Sequence, residues 1–195
     1  LALLKRNYDG YHFSEISEDI YNPFSLIYVL GVKRIDNYWF ASGTPSFLIK
    51  LIKKFGIDIR MLDNAESASS EFDAPTEGMT SILPILYQSG YVTIKDYDRD
   101  TDRYRLGIPN KEVAYGLMNS LVPYYVSPDT LTTSNTMIDM YSDLRHDNMD
   151  SALNRLKVFM AALPYELENK TEKHFQTIIF VIFKMMTKYV DVEIS

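Results

Sequence analysis

The chain has no cysteine. That excludes disulfides, thiolate metal sites and cysteine nucleophiles, and it fits a reducing, cytoplasmic compartment. Histidine is scarce as well. His12, His146 and His174 are the only three, and no two share a local ligand spacing, which argues against a zinc site built on histidine. Long apolar runs are missing. None exceeds the six residues of 178–183, closed by Lys184, far too short to cross a bilayer, so no membrane contact is expected. The start, Leu1-Ala2-Leu3-Leu4-Lys5-Arg6, puts its apolar run before its charges, the reverse of a secretory leader. Positive charge is in deficit, with 20 basic side chains against 26 acidic. A protein that wraps nucleic acid over its whole surface would show the opposite balance. Finally, no G-x-x-x-x-G-K-[S/T] loop occurs anywhere, so the amides and lysine that cradle phosphates in such loops are lacking.

What is present is the composition of a globular protein: 46% apolar and 24% charged residues over 195 positions. The charge is uneven. Residues 1–60 carry net +2, residues 61–110 net −5 and residues 111–195 net −3. The last residues, Val190 to Ser195, read as a strand just beginning, and the chain does not start with Met. It is expected to be a piece of something longer.

Local signals predict a mostly α fold with one β-hairpin. Asn22-Pro23 caps and opens a helix that should stop at Gly31. Thr44-Pro45 opens another, with Phe47, Leu48, Leu51, Ile52 and Phe55 on one face and Gly56 as the stop. Residues 63–78, rich in Ala, Ser, Glu and Asp, read as a linker or loop. Ile82, Leu83, Leu86 and Tyr87 suit a short helix ended by Gly90. Strands are predicted at 91–94 and 104–108 around an Asp-rich turn. Pro109-Asn110 opens a helix aligned on Val113, Leu117 and Leu121. Helix, hairpin, helix in this order predicts a winged-helix-like module. Three helical stripes follow: Met137, Met140, Tyr141 and Leu144; then Met149, Ala152, Leu153, Leu156, Phe159, Met160 and Leu163, closed by Pro164; then Phe175, Ile178, Ile179, Ile182, Met186 and Tyr189.

Several blocks resemble one family. They are Tyr8-Asp9-Gly10-Tyr11-His12-Phe13, Tyr21-Asn22-Pro23-Phe24-Ser25, and Tyr38-Trp39-Phe40-Ala41-Ser42-Gly43-Thr44-Pro45. Later blocks at 86–94, 106–113 and 171–176 continue the likeness. The chain resembles the AAA-ATPase-like proteins of Bacteroidetes type that join an ATPase domain to a C-terminal PD-(D/E)xK nuclease-like domain. The resemblance implies a helical lid-like part of an ATPase module over 1–60, the winged-helix-like module over 61–127, and over 128–195 a helical linker with the first helix of a truncated nuclease-like domain. It also implies ATP and Mg for the intact protein and none for this fragment. The partners would be the ATPase core and nuclease-like domain of the parent chain. The function expected is a non-catalytic regulatory linker; the alternative is a protein-interaction module without nucleotide chemistry even in the intact protein.

No catalytic residue is expected in the fragment itself. Gly43, Thr44 and Pro45 are candidates for a nucleotide-proximal position. Gly would let the backbone approach a base, and Pro would offer a rigid apolar contact; the plainer reading is a helix start. Glu172 is a candidate for one ligand of an incomplete metal site, or a carboxylate favoured by the helix dipole. His174 is expected at the surface, and His12 and His146 without a catalytic partner. Asp96, Asp98, Asp100 and Asp102 hint at a calcium loop, but Thr101 and Gly107 stand where such a loop wants Gly and Glu. A solvated turn with Arg partners is therefore expected. From Met61 to Ile94 there is no Lys or Arg, so direct DNA binding is not expected. The stripe on the last helix, bare without a sheet beyond it, predicts either fold-back onto 149–163 or a homodimer through that helix.

Overall fold

The computed structural model describes residues 1–41, 46–72, 81–125, 130–161 and 172–186. The protein is mostly α with one small antiparallel sheet, and the chain divides into two compact units, Leu1–Leu117 and Met118–Ser195.

In the first unit, α1 (Ala2–Tyr8) is followed by an extended strap and then α2 (Pro23–Val32). Asn22 caps α2 as its side chain predicts, accepting from the amides of Phe24 and Ser25. The helix does not stop at Gly31. It runs to Val32 and ends at Lys33, which takes the left-handed conformation at φ 56°. Short α3 (Tyr38–Ala41) and then α4 (Ser46–Lys54) follow. The buried face of α4 is Leu48, Ile49 and Ile52, while Phe47, expected inside, stands in solvent. A 3-10 helix, Ile59–Asn64, is opened by Asp58, whose carboxylate accepts from the Arg60 amide and pairs with its guanidinium.

The stretch expected to be a linker contains structure. Residues Ala65–Ala68 form β1, and Ser69–Phe72 form α5. Helix α6 (Leu83–Gln88) carries Pro84 in its first turn and ends before Gly90 at φ 75°. Strands β2 (Thr93–Asp98) and β3 (Arg103–Gly107) make the hairpin. The sheet order is β1-β3-β2, all antiparallel, with Ala65 opposite Leu106 and Thr93 opposite Gly107. The register slips between Ile94 and Asp96, which leaves Lys95 as the extra residue of a bulge. Tyr97, Tyr104, Phe72 and Tyr87 form a chain of ring contacts from the sheet to α5 and α6.

Asn110 caps α7 (Lys111–Tyr125), accepting from the Val113 amide. Its second residue, Glu112, is buried. One carboxylate oxygen accepts from the Ser25 hydroxyl at 2.6 Å and the other from the Trp39 amide at 3.0 Å. The side chain thereby ties α2 and α3 to α7. Burial pushes its carboxyl pKa up, against the hydrogen bonds from Ser25 and the Trp39 and Tyr38 amides.

In the second unit, α8 (Thr130–Arg145) and α9 (Met149–Ala161) pack on each other, and α10 (Glu172–Met186) packs on α8. Met137, Met140, Ala152 and Phe159 are buried, but Met149 and Leu153, expected in the stripe, are exposed. Arg155 clamps the α8–α9 pair by reaching Asp139 at 2.9 Å and Asp143 at 2.6 Å. The buried face of α10 is Thr177, Ile178, Val181, Ile182, Met185 and Met186. It is rotated from the expected stripe, and it is not bare. The sheet expected from Val190, together with Leu163, Pro164 and Tyr189, lies outside the described residues.

Candidate functional site

The segment Tyr8-Asp9-Gly10-Tyr11-His12-Phe13 supplies Tyr11, His12 and Phe13 to the lining of a groove in the first unit. Tyr8 is fully buried, and its hydroxyl donates to the Asp36 carbonyl at 2.8 Å and accepts from the Asp36 amide at 3.0 Å. Burial pushes its phenol up to about 12. Gly10 is required by its surroundings: φ is 94°, and an added Cβ would lie 2.4 Å from the Pro109 carbonyl oxygen. Tyr11 and Ile20 then exchange both main-chain hydrogen bonds, closing residues 12–19 into a strap. Within it the Ser17 hydroxyl accepts from the amides of Phe13 and Ser14 and donates to the Ser14 carbonyl.

The strap is pinned to the start of β2. The His12 amide donates to the buried Thr93 hydroxyl at 2.7 Å, and that hydroxyl donates back to the His12 carbonyl at 3.1 Å. The His12 ring pairs with Asp19, Nε2 to Oδ1, at 2.6 Å. His12 therefore does have a carboxylate partner, seven residues on. A strap closed by main-chain bonds brings them together, which simple spacing does not reveal.

The groove encloses about 410 Å³. It runs between the strap, the N-terminus of α2, Trp39 and the turn that follows α6. Its lining is dominated by rings: Tyr11, Phe13, Tyr21, Trp39 and Tyr87. Behind it Trp39 packs on Tyr91 with centroids 5.1 Å apart, and burial pushes the Tyr91 phenol up to about 12. The Tyr11 phenol is raised further, chiefly by burial, and its hydroxyl donates to the Gly90 carbonyl at 3.3 Å. Among the described residues, none that lines it is Lys, Arg, Asp or Glu.

The candidates from the sequence do not converge here. Gly43, Thr44 and Pro45 lie outside the described residues. Glu172 is exposed at the start of α10, and one of its carboxylate oxygens accepts from the Gln176 amide group at 2.9 Å. Among the described residues no three His, Asp or Glu side chains come together as a group that could hold a metal. His174 is not a surface residue: it is half-buried beside Tyr125, and burial lowers its pKa. His146, just past the end of α8, bonds the Ser142 carbonyl of that helix. In the Asp-rich turn, Asp98 accepts from the Asp100 amide and the Thr101 hydroxyl, and Asp102 accepts from Tyr97 and Ser69. Asp96 pairs with Arg105 at 3.0 Å. The turn's partners are thus mainly hydroxyls and amides rather than arginines. What the sequence reading missed is the groove. Trp39 and the Tyr-Asp-Gly-Tyr-His-Phe block were visible, but nothing local showed that they share a wall with Gly90 and Thr93. No described helix is long and apolar enough to cross a membrane.

No family model matches the chain, and no solved structure matches it. The chain is similar to the "uncharacterized protein in vnfD 5′region" of Azotobacter chroococcum mcd 1, at 28% identity over 161 residues. The match covers 82% of this chain and 31% of that protein. The chain therefore spans about a third of the length of the curated relative it matches.

Proposed function

We propose that the chain is a non-catalytic regulatory and linker part of a larger, cytoplasmic, nucleotide-dependent ATPase joined to a nuclease-like domain. The observation that carries this reading is α2. From Pro23 to Val32 it has no charged side chain, and only Ser25 and Val29 are buried. Phe24, Ile27, Tyr28, Leu30 and Val32 all stand in solvent. A helix apolar on every side belongs in an interior. The matched relative has about twice as much chain again outside the matched region, enough to supply a cover. On this reading α2 seats against the ATPase core, and nucleotide state shifts it and so repositions the nuclease-like domain. The strand order β1-β3-β2, with α5 and α6 between β1 and β2, is also the order of a winged-helix module.

ATP and Mg do not fit the residues described here. Among the described residues the groove is lined by no Lys, Arg, Asp or Glu, the His12 Nε2 is held by Asp19, and the Glu172 carboxylate is engaged with Gln176. Both would be held outside the described residues, and no step of their chemistry runs through these. The wing reads as a protein contact rather than a DNA contact, because Arg105 pairs with Asp96 and Arg103 with Glu66.

The second reading, an interaction module without nucleotide chemistry, is favoured by the same face of α2, covered then by a separate protein. ATP turnover by the intact parent decides between them. The first reading expects turnover in the parent and none in this chain. It also expects Ile27→Asp/Leu30→Asp to depress parental turnover while changing the stability of this chain by no more than about 0.5 kcal/mol per site, since both side chains are already in water. A parent that binds a partner through α2 but never turns over ATP belongs to the second reading.

A further inference from the structure

The groove of the first unit has a chemistry of its own, independent of the reading above. Its rings come from three separate stretches of chain, and they meet around one backbone turn. An added Cβ on Gly90 would touch Trp39 Cη2 and Cζ2 and Tyr11 Cε1, each at 3.5 Å, so both rings flank the Gly90 main chain. At φ 75° that position favours glycine in any case. Among the described lining residues the one ionisable group besides the tyrosines is His12, and its Nε2 is already held by Asp19. The polar groups at the rim are the Gln88 amide and the Ser89 hydroxyl, both on exposed residues. Each offers a donor and an acceptor.

We infer that this groove binds a neutral, flat, nitrogen-bearing aromatic ring of the nucleobase class. Three properties of the lining lead there. Aromatic walls reward stacking of a second ring system, and every nucleobase has a π-face to offer. An uncharged lining penalises a charged group, which would lose its water without gaining a counter-charge. A rim of amide and hydroxyl matches the donor and acceptor edge of such a ring. The volume of about 410 Å³ lies in the range of sites that enclose small ligands. Two sources carry this chemistry, a free nucleoside and a base in a single strand. The net charge of −6 and the lack of a cation among the described lining residues favour the free nucleoside.

The protein carries its own probe, because Trp39 is its one tryptophan. Adenosine and guanosine are titrated against Trp39 emission, with calorimetry as an independent readout. The expected result is a saturable change with Kd of about 0.1–1 mM, insensitive to salt. Ser89→Arg, at an exposed position, should weaken binding roughly tenfold by crowding the rim while leaving thermal melting unchanged. Tyr87→Ala should weaken it through loss of a wall, with folding checked by circular dichroism. A short single-stranded oligonucleotide that binds more tightly than the nucleosides, and loses affinity equally in both variants, would support the ring chemistry and make the strand its source. The inference is overturned by any of three results. These are no saturable response to any nucleoside up to about 5 mM, binding indifferent to both variants, or cyclohexanol binding as well as adenosine.

Discussion

Replacing Glu112 should expose how the first unit is held together. Its two oxygens serve donors on two other elements, the Ser25 hydroxyl of α2 and the Trp39 amide of α3. Glu112→Ala leaves both donors buried without their acceptor, at about 1–3 kcal/mol each. Part of that is returned, because the ionised carboxylate is itself costly to bury. A net loss of about 2–4 kcal/mol follows, or a fall of roughly 5–15 °C in the melting temperature of a domain of this size. Glu112→Gln is the sharper test. Its carbonyl can accept from Trp39, and its amide can donate to the Ser25 oxygen, so its cost at neutral pH should stay near 1 kcal/mol. Its effect on pH dependence should be larger. Burial raises the folded carboxyl above its usual value of 4.5, so the folded state takes up a proton before the unfolded state does. As pH falls from neutrality through the folded value, the wild type should gain stability relative to the Gln variant, and the gain is complete below the unfolded value. Denaturant titrations of both proteins between about pH 7 and pH 4.5 give the difference directly. Parallel curves would refute the buried, titrating clamp. An Ala variant as stable as the wild type would refute its role in holding α2 and α3.

Two glycines should respond in opposite senses to alanine. At Gly31, inside α2 with nothing within 4 Å of an added Cβ, Gly31→Ala should stabilise by about 0.5–1 kcal/mol in chemical denaturation. At Gly116 an added Cβ would lie 2.1 Å from Phe40 Cδ2, so overpacking of about 1–3 kcal/mol should outweigh the helix gain and lower the melting temperature. Residues 61–110 carry net −5, so gel-shift titration at physiological salt should show no binding of duplex DNA. Tight, salt-sensitive binding lost on neutralising Arg99, Arg103 and Arg105 would contradict that.

Signals that act over a few residues were legible in the sequence. Asn22 and Asn110 cap helices where their side chains predict, Pro84 sits in a first turn, and Gly90 ends α6. What was misread depends on partners far along the chain. The sequence Ala65-Glu66-Ser67-Ala68 has little β propensity, yet it becomes a strand because β3 offers an edge and Ser67 is buried there. Gly31 looked like a helix stop, but Lys33 adopts the left-handed turn instead. On α10, which packs on α8, the buried face takes in Val181 and Met185, which the expected stripe left out. The groove was illegible for the same reason. Tyr11, Trp39 and Gly90 are each ordinary alone, and only the closed strap and the Thr93 hydroxyl place them together.

The contacts of the Tyr-Asp-Gly-Tyr-His-Phe block also set an order of events in time. Tyr11 finds the Gly90 carbonyl across 79 positions, His12 finds Thr93 across 81, and the Asp9 carbonyl finds Asn110 across 101. Gly10 lies directly against the Pro109 carbonyl. On the ribosome, where the chain lengthens at about 5–20 residues per second, this block emerges before its partners. It then waits until the hairpin and the start of α7 have appeared. During that interval the first helices carry exposed apolar side chains and lack their long-range partners. Closing such long loops is slow compared with forming any one of the helices. The first unit is therefore built to fold late and together, with its opening residues among the last to find their places.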